Sequence, residues 1–296
     1  MRRHAMTLSG LFIATLVVAT PDAIGQPTCA DVIVTTHHLN SQRTGANTGE
    51  LSLDHTKLKS GNFGKLWEYP VRGAIYAQPL LAPVTVDPAR GRVCAVFVAT
   101  AENFVYAFDA NSADPTPLWV YDAGSDNVAL GGRVYLTDDG TSVGQGISPT
   151  IGIIGTPVID LPHFTMYFVA MTQDSDTRFT HTLHAIDIQT GVLRQKTAIT
   201  GDIIGGGRFN SQRENQRAAL ALAKATIYIA WASFGDIAPF DGLVMRYALV
   251  DSPTPLEKLQ QFQVASFDPL VGKRHKGGGI WQSGGGPAVD PEENFL

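Results

Sequence analysis

The side chains able to do chemistry in this 296-residue chain fall into three visible sets: paired histidines, clustered aspartates and two cysteines. His37 and His38 are adjacent, so extended backbone would send them to opposite faces, and no carboxylate or third histidine stands nearby in sequence to complete a metal shell. His181 and His184 are three apart inside a predicted strand, again on opposite sides, and read as surface and edge residues. Asp138-Asp139-Gly140-Thr141 and Asp174-Ser175-Asp176 have the spelling of a calcium turn, but the same spelling serves ordinary hairpin and solvated turns. No metal site is expected. Neither a Gly-x-Ser-x-Gly elbow nor a His-Glu-x-x-His pair occurs, and neither Cys29 nor Cys94 stands beside a histidine partner. Carboxylates brought together from distant loops leave no such linear trace.

The elements that must position these groups repeat. Thr165–Ala170 is an uncharged β-branched and aromatic run; Leu183–Gln189 follows and stops at Asp187-x-x-Thr190-Gly191, where glycine can take a positive φ. The same grammar recurs at Val93–Thr100 with Phe104–Ala110, and at Ala225–Trp231 with Gly242–Ala248. A shorter apolar segment precedes each pair, at Gln78–Leu81, Thr156–Asp160 and Arg217–Leu220, and a last one stands at Gly286–Asp290. A fourth strand follows each pair, at Pro117–Tyr121, Val192–Thr197 and Leu259–Val264. Four strands per irregular repeat mean the blade of a β-propeller.

The fold expected is therefore all-β, an incomplete propeller of four-stranded antiparallel blades. Blade one runs from Tyr76 to Tyr121, blade two from Thr156 to Ile199 and blade three from Arg217 to Val264, with the start of a fourth at the end. Lys65–Val71 reads as an N-terminal closing strand, set before the first full repeat so that a free edge is removed. The Gly-rich stretch Asp122–Gly152 reads as a long insertion without structure. Three blades and a strand do not close a ring, so the chain reads as a fragment of a longer propeller.

Composition narrows the partners. A formal charge of −5 without clustered Lys and Arg argues against nucleic acid, and Lys273-Arg274-His275-Lys276 reads as a solvated loop. Arg2-Arg3-His4 followed by an apolar run and small residues reads as a secretory signal over residues 1–25, leaving 26–296 as the propeller in a secreted or periplasmic location. The run is shorter than the roughly 20 residues a membrane span needs, and no anchor is expected. Export permits a Cys29–Cys94 disulfide tying the N-terminal arm to blade one; equally, Cys94 serves as a small core hydrophobe.

At Ala185-x-Asp187-x-x-Thr190-Gly191, and less fully at Ala107-x-Asp109 with Trp119 downstream, the repeat resembles the pyrroloquinoline quinone (PQQ) repeat of quinoprotein-like β-propellers. Phrases such as Tyr76-Ala77-Gln78-Pro79-Leu80, Gly155–Asp160 and Ile280–Pro287 resemble an exported subfamily without an assigned reaction. The dehydrogenases of this superfamily hold their quinone under a vicinal Cys-Cys disulfide with calcium beside it. Here Cys29 and Cys94 are far apart, and Gln195 stands where the best repeat should carry its docking tryptophan. No cofactor is therefore expected, PQQ and calcium having no motif behind them, and no catalytic residue carries over.

In a propeller the first strand of each blade lines the axis, so the strand entries ring the mouth. They are Gln78, Thr156, Asn215, Gln216, Arg217, Gln282 and Ser283, flanked by Tyr76 and Trp281. Amides, a hydroxyl, a guanidinium and two aromatics suit a polar small molecule, a glycan or a protein segment, and they also suit plain capping of exposed backbone. The expected role is binding or scaffolding at this mouth. The alternatives are a PQQ/calcium-dependent oxidoreductase, and a carbohydrate-binding or carbohydrate-active propeller using Tyr76 and Trp281 as stacking platforms.

Overall fold

A computed structural model describes residues 29, 32–50, 53–59, 61, 63–87, 91–135, 137, 141, 146–175, 178–202, 208–237, 240, 242–251, 256–264, 267–268, 273–274, 277–290 and 292. The signal expected over 1–25, the Asp138-Asp139-Gly140 turn, Asp176 and the side chains of Lys273–Lys276 lie outside them.

Short helix α1 (His55–Lys59) is followed by three blades. Strands β1 (Leu80–Asp87), β2 (Gly91–Ala99), β3 (Phe104–Asp109) and β4 (Trp119–Asp122) form the first, in sequential antiparallel order. After two small elements, β5 (Ala129–Leu130) and β6 (Thr150–Ile151), the second blade is β7 (Val158–Asp160), β8 (Thr165–Ser175), β9 (Arg178–Asp187) and β10 (Leu193–Ala198). The third adds β11 (Glu214–Asn215), β12 (Ala221–Ala223), β13 (Thr226–Ser233), β14 (Leu243–Ala248) and β15 (Lys258–Gln263). Strands β16 (Phe267–Asp268) and β17 (Lys273–Arg274) pair with each other, so the basic knot begins in a short hairpin strand.

The uncharged run that opens β8 has a physical reason. Met166, Phe168 and Ala170 face blade one, packing with Phe97, Val105 and Trp119, while Tyr167 and Val169 face blade three, packing with Ile229, Trp231 and Met245. A strand buried on both faces cannot alternate with polar residues. Each large side chain so buried contributes about 1.5–3 kcal/mol.

Trp119 fixes the first joint. Its indole Nε1 donates to the Ile188 carbonyl across the blade boundary at 3.1 Å, and its ring lies against Gly191. Gly191 has φ of +71°, and a Cβ there would stand 2.7 Å from the indole, so both the turn and the contact demand glycine. Asp187 holds the same turn, accepting from the Gln189 and Thr190 amides and from Arg194 at 2.7 Å. Burial opposes its charge, but those bonds prevail and hold its carboxyl below the usual range.

Several expectations are corrected. Arg217–Leu220 is not the first strand of blade three: β11 and β12 pair with β13 on either side of it. The intervening amides point sideways instead, Ala219 donating to the Gly285 carbonyl and Leu220 to that of Thr156. Lys65–Val71 forms no ladder among the described residues; Tyr69 stacks on Phe108 at 4.6 Å and its hydroxyl donates to the Asp109 and Ser112 carbonyls. That places it on the outer face of blade one as Trp119 sits on blade two. The insertion is not structureless: β5 pairs with β6, α2 (Gly131–Val134) follows β5, and Val134, Tyr135, Ile147 and Ile151 form a buried cluster with Met171 and Phe234. The fourth blade's opening strand, 286–290, reduces to Val289, which donates to the Ser41 carbonyl and packs beside Tyr228 and Val244.

The polar loop after Val34 does more than connect. Val34 bridges Leu81, Thr35 accepts from the Ile159 amide, Ser41 accepts from Val289, and Arg43 donates to the Leu220 and Pro287 carbonyls. One segment thus ties the inner edge of all three blades and the start of a fourth. Cys29 and Cys94 are disulfide-bonded, with Cα atoms 5.1 Å apart, which anchors this segment to β2. Because the bridge closes 65 residues, its loss through Cys29→Ser with Cys94→Ser should lower unfolding free energy by about 2–4 kcal/mol, read from urea melts.

Candidate ligand cleft at the strand entries

The expected mouth residues do gather, but most are spent on the scaffold. Thr156 is fully buried, and its hydroxyl accepts from the Gln78 amide, while Gln78 Oε1 accepts from the His38 amide. The Gln216 side chain donates to the Ala218 carbonyl at 2.6 Å. Arg217 donates to the Ile154 carbonyl, lies 5.9 Å over the Tyr76 ring and contacts Gly284, and its burial lowers its pKa. Tyr76 therefore carries a guanidinium on its face and is no free platform. Gln282 and Ser283 are exposed in a single 3-10 turn, both with positive φ. Two polar groups remain without protein partners: both amide atoms of the fully buried Asn215, and Oε1 of Gln216.

Between the insertion and the end of β13 opens a cleft of about 620 Å³, of which Trp281 alone was foreseen. It is lined by Tyr135 and Gly146 of the insertion, Ala232, Ser233, Gly235, Asp236 and Phe240 at the end of β13 and its turn, and Gly278, Gly279 and Trp281. The Ile280 amide donates to the Trp231 carbonyl at 2.9 Å and so lays the Gly-rich segment along β13. Gly279 permits this close approach, since a Cβ would stand 3.1 Å from the Ala232 Cα. Ser233 donates to Asp236 Oδ1 at 3.0 Å, and the Tyr135 hydroxyl accepts from the Ile147 amide. Asn215 stands opposite Ala232 in the β11–β13 ladder, hence on the same sheet face as that cleft residue. Among the described residues Asp236 is the one charged residue lining the cleft, and no described Lys, Arg or His lines it.

Tyr135, Ser233, Asp236 and Phe240 escaped sequence reasoning because the insertion read as a loop and Gly235-Asp236 reads as an ordinary turn. Their convergence depends on three distant segments meeting.

The histidines are placed differently from expectation. His37 and His38 sit in a turn with stacked rings 4.0 Å apart, not on opposite faces. Burial pushes His37 down to about 4, helped by the charges of His38, Arg43 and Arg217. His181 and His184 are buried rather than on the surface, although they do take opposite faces of β9. His184 stacks on Phe168 and bonds the Tyr121 hydroxyl at 2.9 Å on the blade-one side, while His181 packs edge-on to Trp231 on the blade-three side. Burial pushes both down to about 3, and Lys196 adds to this at His184. Unfolded, each titrates near 6.5, so between about pH 6.5 and 3 the unfolded chain binds protons that the folded chain refuses. Stability is complete above that window and falls as pH drops through it, by roughly 1.4 kcal/mol per unit for each ring. Urea melts across the window should show this slope, to which His37 adds above about pH 4, and His181→Leu should remove one ring's share of it, because the His181 Nδ1 has no partner to lose.

Neither a family model nor a curated protein sequence matches the chain. Among solved structures, a quinohemoprotein alcohol dehydrogenase from Pseudomonas putida HK5 superposes with a TM-score of 0.51 at 16% identity, covering 88% of this chain and 33% of that one. Another, from Comamonas testosteroni, gives 0.50 at 14% identity, covering 88% and 34%. The chain has a quinoprotein-like β-propeller fold. It spans about a third of the length of these two structures, and at such identity the likeness concerns architecture alone.

The donor set was tested against the quinone that this fold suggests. PQQ is a polycarboxylate and needs cations around it. Among the described residues the cleft offers Asp236 and no cation, while Arg43 and Arg217 are engaged with backbone carbonyls. The disulfide links residues 65 apart and lines a different cleft, with Pro83, Arg92 and Asp109. Among the described residues no three His, Cys, Asp or Glu side chains converge to hold a metal ion. These residues do not fit the quinone, nor a calcium ion beside it. No helix among the described residues is long and apolar enough to cross a membrane.

Proposed function

We propose that this chain is an exported binding propeller that holds a small, uncharged, polar ligand in the cleft between the insertion and blade three. The observation that carries the reading is the lining itself: Trp281, Tyr135 and Phe240 beside Ser233 and Asp236, with no cation among the described residues. Its volume lies within the span of about 300–1,000 Å³ that small-molecule sites occupy, which favours a small molecule or glycan over a protein partner. The blades and the Val34–Arg43 tie supply a rigid frame for such a seat.

The quinone-dependent oxidoreductase is the competing reading, and it draws support from the fold of the solved structures rather than from side chains here. Titration of the folded chain with PQQ and calcium, followed by a dye-reduction assay with an alcohol or a sugar, separates the two. The binding reading expects neither saturable uptake nor dye reduction. Uptake with turnover would replace it.

A further inference from the structure

We infer that the cleft is built for a neutral sugar, laid flat on Trp281 with its hydroxyls on Asp236 and Ser233; this rests on the cleft being the binding seat. A sugar ring has an apolar C–H face and a polar rim, and each needs a different partner. Trp281 is 38% exposed at the cleft and offers the flat apolar surface. Asp236 has Oδ1 committed to Ser233, which orients the carboxylate and leaves Oδ2 for a ligand hydroxyl.

Other ligand classes fit less well. Anions, including acidic sugars, meet Asp236 and, among the described residues, no lining cation. An extended peptide needs a free strand edge, but at the cleft end β13 is already paired with β11, and the Ile280 amide takes the Trp231 carbonyl.

The test uses the whole folded chain titrated with neutral cello-, xylo- and malto-oligosaccharides, with an oligouronate of matched length and with an uncharged non-sugar amide, by calorimetry and tryptophan fluorescence. At least one neutral oligosaccharide should saturate, with the oligouronate at least about tenfold weaker. Trp281→Ala should weaken sugar binding by about tenfold or more without changing the thermal midpoint, Trp281→Tyr should retain most of it, and Asp236→Asn should weaken it severalfold. Sugar binding unaffected by Trp281→Ala, or an oligouronate that binds as well, overturns the assignment. Binding of the amide alone, lost in Trp281→Ala, also overturns the sugar and leaves the cleft as the seat. Silence from every probe overturns both.

Discussion

Trp119→Ala should be the most damaging single substitution in the chain, lowering unfolding free energy by about 3–5 kcal/mol. The indole fills the joint between blades one and two, packs against Phe97 at 5.7 Å, and satisfies the Ile188 carbonyl. Removing it leaves a cavity and a buried acceptor together. Trp119→Phe should recover most of the packing but not the bond, retaining a cost of about 1–3 kcal/mol. Because neighbouring blades in a repeat array are coupled through their shared faces, weakening this joint should also split a single urea transition into two, the first reporting blade one. Gly191→Ala should mimic part of the effect from the other side of the contact, through its positive φ and the 2.7 Å approach. Circular dichroism and tryptophan fluorescence followed through the same melt would read both effects. Coincident transitions at wild-type stability in Trp119→Ala would contradict the joint.

Arg43→Ala should rank next, at about 2–4 kcal/mol. The guanidinium donates to the carbonyls of His37, Leu220 and Pro287 and to the Thr36 hydroxyl, and burial pushes its pKa down to about 10. These acceptors belong to the axial loop, blade three and the start of the fourth blade, so one side chain holds three parts of the fold in register. Truncation leaves the carbonyls without their charged donor. Arg43→Lys should recover less than half, because a point ammonium cannot replace a planar fork serving several acceptors at once. Guanidinium melts give the stability change, and hydrogen exchange at Leu81, Ile159 and Val289 should rise together in the alanine variant. Exchange confined to the loop itself would limit Arg43 to a local role.

Much of the fold was legible because blades are written in local grammar. The Thr165–Ala170 run, the Asp187-to-Gly191 turn and the fourth strand near 193–198 each announce themselves within a few residues, and the structure places β8, the turn and β10 there. Where backbone bonding runs sideways, reading failed: Arg217–Leu220 has a strand's composition, but its amides serve Gly285 and Thr156 instead of β13. His181 and His184 read as surface residues because polarity in a sequence suggests exposure, whereas interblade joints bury both faces of a strand. The mouth was half legible. Of the strand entries and their flanking residues only Trp281 lines the cleft, and the residues that shape it come from the insertion and from the β13 turn. Their meeting is a property of tertiary packing, and no spacing in the chain encodes it.

Hydrogen exchange of the intact chain, compared with and without saturating neutral oligosaccharide and with and without PQQ plus calcium, bears most directly on the cleft as the functional seat. Slowed exchange confined to residues 231–237 and 278–281 and the neighbourhood of Tyr135 with the sugar, and an unchanged pattern with the quinone, is the expected result. Protection by PQQ, or sugar-dependent protection elsewhere on the blades with the cleft unaffected, would contradict it.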